Sequence, residues 1–264
     1  MAWGARLAVA TGADLVAVSA LGRDAPVSGR QVEEVEAGRL DELSGWITSE
    51  HTAGARLRTE VVFGDPRQAL DAYSSEHGGD LVVVGRQGPG SAPGLMHLSS
   101  VAEYLVHHTA VPLAVVPDGA PAEIRRMVVA YDGSDNSHEA VRWCAAVSGA
   151  TGASVVAVQV HEPFLEWTWE ADLKAWHAAT DQLIRDGIAA DLGDAGIDLS
   201  VASMRGVRPA DGLLQAVHLH GADVLVVGMR GLGGFTALRV GGVAMDALHG
   251  ADTSMVLVPP AREA

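Results

Sequence analysis

Two segments of this chain hold residue types that can grip a phosphorylated ligand. The first is Asp132, opening the turn Asp132-Gly133-Ser134-Asp135-Asn136-Ser137 behind a short apolar run, Met127 to Tyr131. The second is Gly228-Met229-Arg230-Gly231, directly behind the apolar run Val224 to Val227, leading through nine residues to Gly241-Gly242-Val243. A carboxylate so placed can accept hydrogen bonds from ribose hydroxyls. Glycines let backbone approach phosphate oxygens closely and adopt positive φ. A helix beginning near Gly242 adds unpaired N–H donors and the positive end of its dipole. Arg230 and Arg239 can supply counter-charge.

Blander roles compete with these. Asp132 and Ser134 are suited to capping the next helix, and the glycine loop to a plain connector. Trp167, Trp169 and Trp176 read as packing rather than a ligand cover. His97, Glu103, His107 and His108 show no metal-ligand spacing, and Gly64-Asp65-Pro66 and Gly206-Val207-Arg208-Pro209 read as turns that start helices.

The elements that must position the two segments recur along the chain. Thr11–Val18 matches Thr151–Val158 at an offset of 140, and Trp3 pairs with Trp143 at the same offset. Asp80–Gly85 matches Asp223–Gly228 at 143, and Val115–Pro117 matches Leu257–Pro259 at 142. Drifting offsets signal loop insertions within a duplicated unit. The second unit reads as strand Met127–Tyr131, helix His138–Val147 closed by Gly149, strand Val155–Val160, and a long helix from Trp169 to Leu192. Strand Leu199–Ala202, a helix from Pro209, strand Val224–Val227, a helix Gly242–His249 and strand Met255–Val258 follow. Such alternation implies α/β units with parallel strands, right-handed crossovers and helices on both faces. Ligands of such sheets bind beyond the strands' carboxyl ends, where strand order reverses, and both segments fall at carboxyl ends. The expected domains are 1–119 and 124–264, divided near Asp118-Gly119-Ala120-Pro121.

Bulk properties narrow the function. The 264 residues suffice for two cores, and 48% hydrophobic residues with a mean hydropathy of +0.18 exclude a disordered chain. A formal charge of −15, with Lys174 the one lysine, argues against nucleic-acid partners. The single cysteine, Cys144, rules out an internal disulfide and reads as a small buried hydrophobe in a cytoplasmic protein. No stretch is long and apolar enough to span a bilayer. The start imitates a signal peptide, a reading rejected because the segment recurs internally.

The pattern Gly-x2-Gly-x9-Gly-(Ser/Thr), with an Asp after the first strand and the run Val129-Ala130-Tyr131-Asp132-Gly133-Ser134, resembles the ATP-binding branch of the universal stress proteins. The resemblance covers nearly the whole chain, twice over. It implies a five-stranded parallel sheet of order 3-2-1-4-5 in each repeat, and ATP or a related adenine nucleotide as ligand, with or without Mg2+. Ala130, Tyr131 and Asp132 would meet the adenosine, and Val160 would offer backbone to the adenine. Gly228, Arg230, Gly231, Gly241, Gly242 and Val243 would surround ribose and phosphates. Gly242 departs from the pattern, standing where the family has Ser or Thr.

The first repeat departs further. Ten residues separate Gly88 of Gly85-Arg86-Gln87-Gly88 from Ser99-Ser100, Ser99 replaces the third glycine, and nothing corresponds to Asp132 or its strand. A first domain without its first strand would leave its neighbours' edges unpaired, which suggests a sequence that begins downstream of its natural start, or else a degenerate domain. The leading expectation is a cytosolic nucleotide-binding stress-response regulator with no catalytic residues. A slow ATP hydrolase draws little support, since the chain has no Gly-x4-Gly-Lys-(Ser/Thr) loop. A ligand-free pairing module is the third reading: the resemblance implies association through last strands, as an intramolecular pseudo-dimer or a homodimer.

Overall fold

The computed structural model describes residues 1–22, 29–46, 54–88, 98–161, 170–192, 199–205, 208–232 and 239–261. The first repeat contributes α1 (Ala2–Thr11), β1 (Asp14–Leu21), α2 (Gly29–Trp46), β2 (Arg56–Phe63), α3 (Pro66–Glu76), β3 (Val82–Gly85), α4 (Ser100–His108) and β4 (Leu113–Val116). The second contributes β5 (Arg126–Ala130), α5 (Asp135–Thr151), β6 (Ser154–His161), α6 (Glu170–Leu192), β7 (Leu199–Arg205), α7 (Pro209–His220), β8 (Val224–Gly228), α8 (Gly242–Gly250) and β9 (Ser254–Val258).

The second repeat builds the expected sheet: β7-β6-β5-β8-β9, every neighbouring pair parallel. Its central strands are continuous apolar runs because helices cover both faces. Val224, Leu225 and Val226 are each 0% exposed. One core fills the face under α5 and α6, around Met127, Cys144, Ile184 and Ile188, and another fills the face under α7 and α8, around Leu213, Leu225, Leu248 and Leu257.

The first repeat's strands do not form one sheet. Among the described residues no strand sits between β1 and β3, and β1 and β2 stand as a two-stranded parallel sheet. β3 and β4 instead extend the second repeat's sheet to seven strands, because β4 pairs antiparallel with β9 through Leu113↔Leu257, Ala114↔Val256 and Val115↔Met255. The burial contrast follows. Val82, Val83 and Val84 of β3 are half-buried where their counterparts in β8 are buried.

Element edges differ from the sequence reading in one informative case. The helix expected to stop at Gly149 runs on to Thr151 and closes at Gly152, whose φ of 75° supplies the left-handed turn that a helix terminus favours. Gly149 is an ordinary helical residue. Trp167 and Trp169 lie outside the described residues; Trp176 packs edge-on against His161, ring centroids 4.5 Å apart.

Cys144 is fully buried in α5, and burial pushes its thiol well above the usual range. The thiolate is the nucleophile, so the native chain should resist iodoacetamide and become alkylated only on unfolding. Thiol titration with and without denaturant checks this; rapid native labelling would contradict the burial.

Candidate functional site

The two chemistry-bearing segments meet at the carboxyl ends of β5 and β8, which are neighbours in the sheet. Asp132 divides its carboxylate between them. Oδ1 accepts from the Ser134 amide at 3.0 Å, and Oδ2 accepts from the Leu232 amide at 3.1 Å, across a hundred residues of sequence. Gly231 has to be glycine at this contact: an added Cβ would lie 2.5 Å from Asp132 Oδ2. Ser134 serves as the N-cap of α5, its hydroxyl accepting from the Ser137 amide at 3.2 Å. The capping role thus belongs to Ser134, and Asp132 joins turn to loop.

Asn136, which sequence reasoning did not single out, makes the second link. It is 5% exposed, Oδ1 accepts from the Arg230 amide at 2.7 Å, and Nδ2 donates to the Val258 carbonyl at 3.0 Å. One amide thus ties the first turn of α5 to the glycine loop and to the end of β9. Gly228 lies so close to this turn that a Cβ would approach the Asn136 carbonyl oxygen to 2.8 Å. A polar residue two positions past a helix cap was the available signal, but nothing local said that its partners lay ninety-four and more residues away.

The loop returns to the sheet through Gly241, whose amide donates to the Met229 carbonyl at 2.7 Å. Gly241 is the N-cap of α8 and offers no side-chain acceptor, and no acidic residue sits in that helix's first turn. Among the described residues, the amides of the first turn and the dipole's positive end are therefore uncompensated by side chains. Gly242 and Val243 are exposed there. Arg230 keeps its Nε buried without a partner among the described residues. Arg239 donates instead to the carbonyl of His108, the last residue of α4, so its suggested role as counter-charge is taken up by a helix end.

Other expected site residues turn their side chains elsewhere. Tyr131 is 8% exposed, and its hydroxyl occupies the place a Cβ on Gly187 would need. The hydroxyl also lies 3.3 Å from His138 Nε2, and His138 Nδ1 pairs with Asp191, which also binds Arg142. Burial first, then the charges of Asp191 and Asp132, raise the phenol's pKa above its usual value. Val160 packs on α7, where Gly212 leaves room for it. Any ligand contact by Tyr131 or Val160 therefore runs through backbone. The Tyr131 amide donates to the Val158 carbonyl. Backbone groups of alternate strand residues face the same way, so those of Val160 face the space beyond the end of β5. Ala130 ends β5 beside that space.

The first repeat copies the frame but caps its own helix. The Ser99 amide donates to the Arg86 carbonyl at 2.7 Å, as Gly241 does to Met229. Yet the Ser99 hydroxyl caps its own helix by accepting from the Ala102 amide at 3.1 Å, and Glu103 places a carboxylate in the first turn of α4. Both oppose an anion. His108 is spent locally, its ring stacking on Tyr104 with centroids 3.8 Å apart; His97 lies outside the described residues. Among the described residues no three His, Cys, Asp or Glu side chains group to hold a metal ion, and no helix is long and apolar enough to cross a membrane.

Comparison with known proteins agrees with this architecture. A universal stress protein of Mycolicibacterium smegmatis is 29% identical over 238 residues, 87% of this chain and 75% of its own length. The universal stress protein in the QAH/OAS sulfhydrylase 3′ region of Thermus aquaticus is 28% identical over 138 residues, covering 51% of this chain and 98% of itself. The crystal structure of a universal stress protein from Archaeoglobus fulgidus superposes with a TM-score of 0.69 at 18% identity, covering 97% of this chain and 92% of that one, which supports the fold. The profile of the universal stress protein family matches residues 1–117 and again 123–259. The chain therefore belongs to the universal stress protein family and carries two of its domains in tandem.

Proposed function

We propose that the second repeat binds ATP or a related adenine nucleotide, and that occupancy biases a conformational or assembly state in a stress response. One observation carries the reading. The Asp132 carboxylate, the Gly228–Leu232 loop and the uncapped N-terminus of α8 are tied into one site by the Leu232, Arg230 and Gly241 amides. Asp132 is half-buried, and among the described residues each of its oxygens accepts one bond, leaving a lone pair for a ribose hydroxyl. Arg230 and the α8 amides suit phosphate. Ala130, Tyr131 and Val160 offer backbone toward the base. These residues bind and orient; none is placed as a nucleophile or general base.

Titration with ATP, followed by tryptophan fluorescence, tests the reading. A saturable change is expected for the full chain, and none up to millimolar ATP would overturn it. Gly242→Ser provides an internal control. A Cβ on Gly242 meets no atom of the described residues within 4 Å, so they leave room for the hydroxyl. One added bond to a charged phosphate should tighten ATP binding about tenfold, a conservative share of the usual range for charged hydrogen bonds. Unchanged ATP affinity in this variant would mean that the phosphates lie elsewhere.

The β4–β9 ladder favours a second reading, a ligand-free module in which the two repeats form a pseudo-dimer within one chain. An ATP titration without saturation, together with a sedimenting monomer, would favour it.

A further inference from the structure

The first repeat holds α8 from both sides of its length. At the C-terminal end, Arg86 from the loop after β3 sends Nη1 to the Ala251 carbonyl at 2.5 Å and Nη2 to the His249 carbonyl at 2.7 Å. Arg86 is 6% exposed, and its burial lowers the guanidinium pKa against the opposing charge of Asp252. At the other end, Arg239 lies two residues ahead of the N-cap Gly241 and donates to the carbonyl of His108 at the end of α4. Carbonyls of a last helical turn lack intrahelical partners and carry the dipole's negative end. Each arginine therefore finds free acceptors in a favourable field. The two connections run in opposite directions between the repeats, beside the β4–β9 ladder.

The repeats are not equivalent in this respect. At the offset that aligns Gly85 with Gly228, the position of Arg86 is taken in the second repeat by Met229, an apolar residue 2% exposed. A buried guanidinium there is a feature of the first repeat, whose own helix α4 is capped by Ser99 and carries Glu103 in its first turn.

We propose that Arg86 is a positioning residue for the phosphate subsite of the other repeat, with Arg239 as the reciprocal tether. This rests on the nucleotide reading above. Hydrogen bonds weaken steeply with misalignment, so the strength of an amide-lined anion site depends on the direction of its helix. By fixing the C-terminal turn of α8, Arg86 sets where that helix's first amides point. The adenosine side of the site depends on β5 and β6 instead, and Arg86 does not reach it. The incomplete first repeat thus supplies the frame against which α8 is aimed.

The test is the binding of ATP, AMP and adenosine to the full chain and to its Arg86→Gln and Arg86→Lys variants. Arg86→Gln is expected to weaken ATP about tenfold and to leave adenosine unchanged. Arg86→Lys, which keeps the charge and can reach one carbonyl, is expected to recover part of the loss and to keep the fold should the glutamine variant unfold. Equal loss for ATP and adenosine in either variant would mark general destabilisation and overturn the proposal. So would unchanged binding of both. Should the unaltered chain bind neither ligand, the nucleotide reading falls and takes this proposal with it.

Discussion

Gly231→Val is expected to raise the dissociation constant for ATP about 100-fold while leaving the far-ultraviolet circular dichroism unchanged. Gly231 is exposed in a loop, so the substitution disturbs no core. What it disturbs is the Asp132 carboxylate, whose Oδ2 lies 2.5 Å from the new Cβ. Either the carboxylate or the loop must yield, and the Leu232 amide loses its charged acceptor. One such bond is worth about 1.5–3 kcal/mol, and displacement of the carboxylate removes ribose contacts as well. Asp132→Asn separates the two effects. An asparagine can still accept from one amide, but it presents its NH2 to the other, so an intermediate loss of about tenfold is expected. Wild-type affinity in both variants would place the ligand outside this site.

Leu257→Ala is expected to destabilise the chain by about 2–5 kcal/mol, the usual cost of emptying a leucine site in a packed core. Leu257 is 0% exposed, lies in β9 and faces Leu113 of β4 across the antiparallel ladder. The loss therefore falls where the repeats share a sheet. Urea unfolding followed by circular dichroism would give the magnitude, and hydrogen exchange would give its spread. Protection should fall in β4 as well as in β8 and β9. Loss confined to β8 and β9, with β4 untouched, would show that the ladder does not couple the repeats.

The tether at Arg86 and the carboxylate at Asp132 make opposite demands on the same loop and helix. Asp132 and Asn136 hold the loop against α5, while Arg86 and Arg239 hold α8 against the first repeat. Between them the first-turn amides of α8, from Gly242 onward, are held in place with no side-chain cap among the described residues. In the first repeat the corresponding helix satisfies itself through Ser99, and no such arrangement is needed.

The sequence alone determined the duplicated unit, the alternation of strands and helices, and the two segments that meet at the strand ends. Those properties are local. Valine runs such as Val224–Val227 report burial on both faces, and turns announce themselves through residues like Ser134 and Pro209, so a window of a dozen residues contains the information. Even here Gly149 and Gly152 could not be told apart, because only backbone angles show which glycine is left-handed. The tertiary structure decided the rest: which strands found partners once the first repeat lacked a central one, that Asp132 reaches Leu232, that Asn136 bridges α5 to the loop, and that Arg86 belongs to a helix over a hundred and sixty residues away. The last three are contacts between polar groups left over at element ends. Their satisfaction depends on where the sheet delivers those ends in space, and no periodicity along the chain records that.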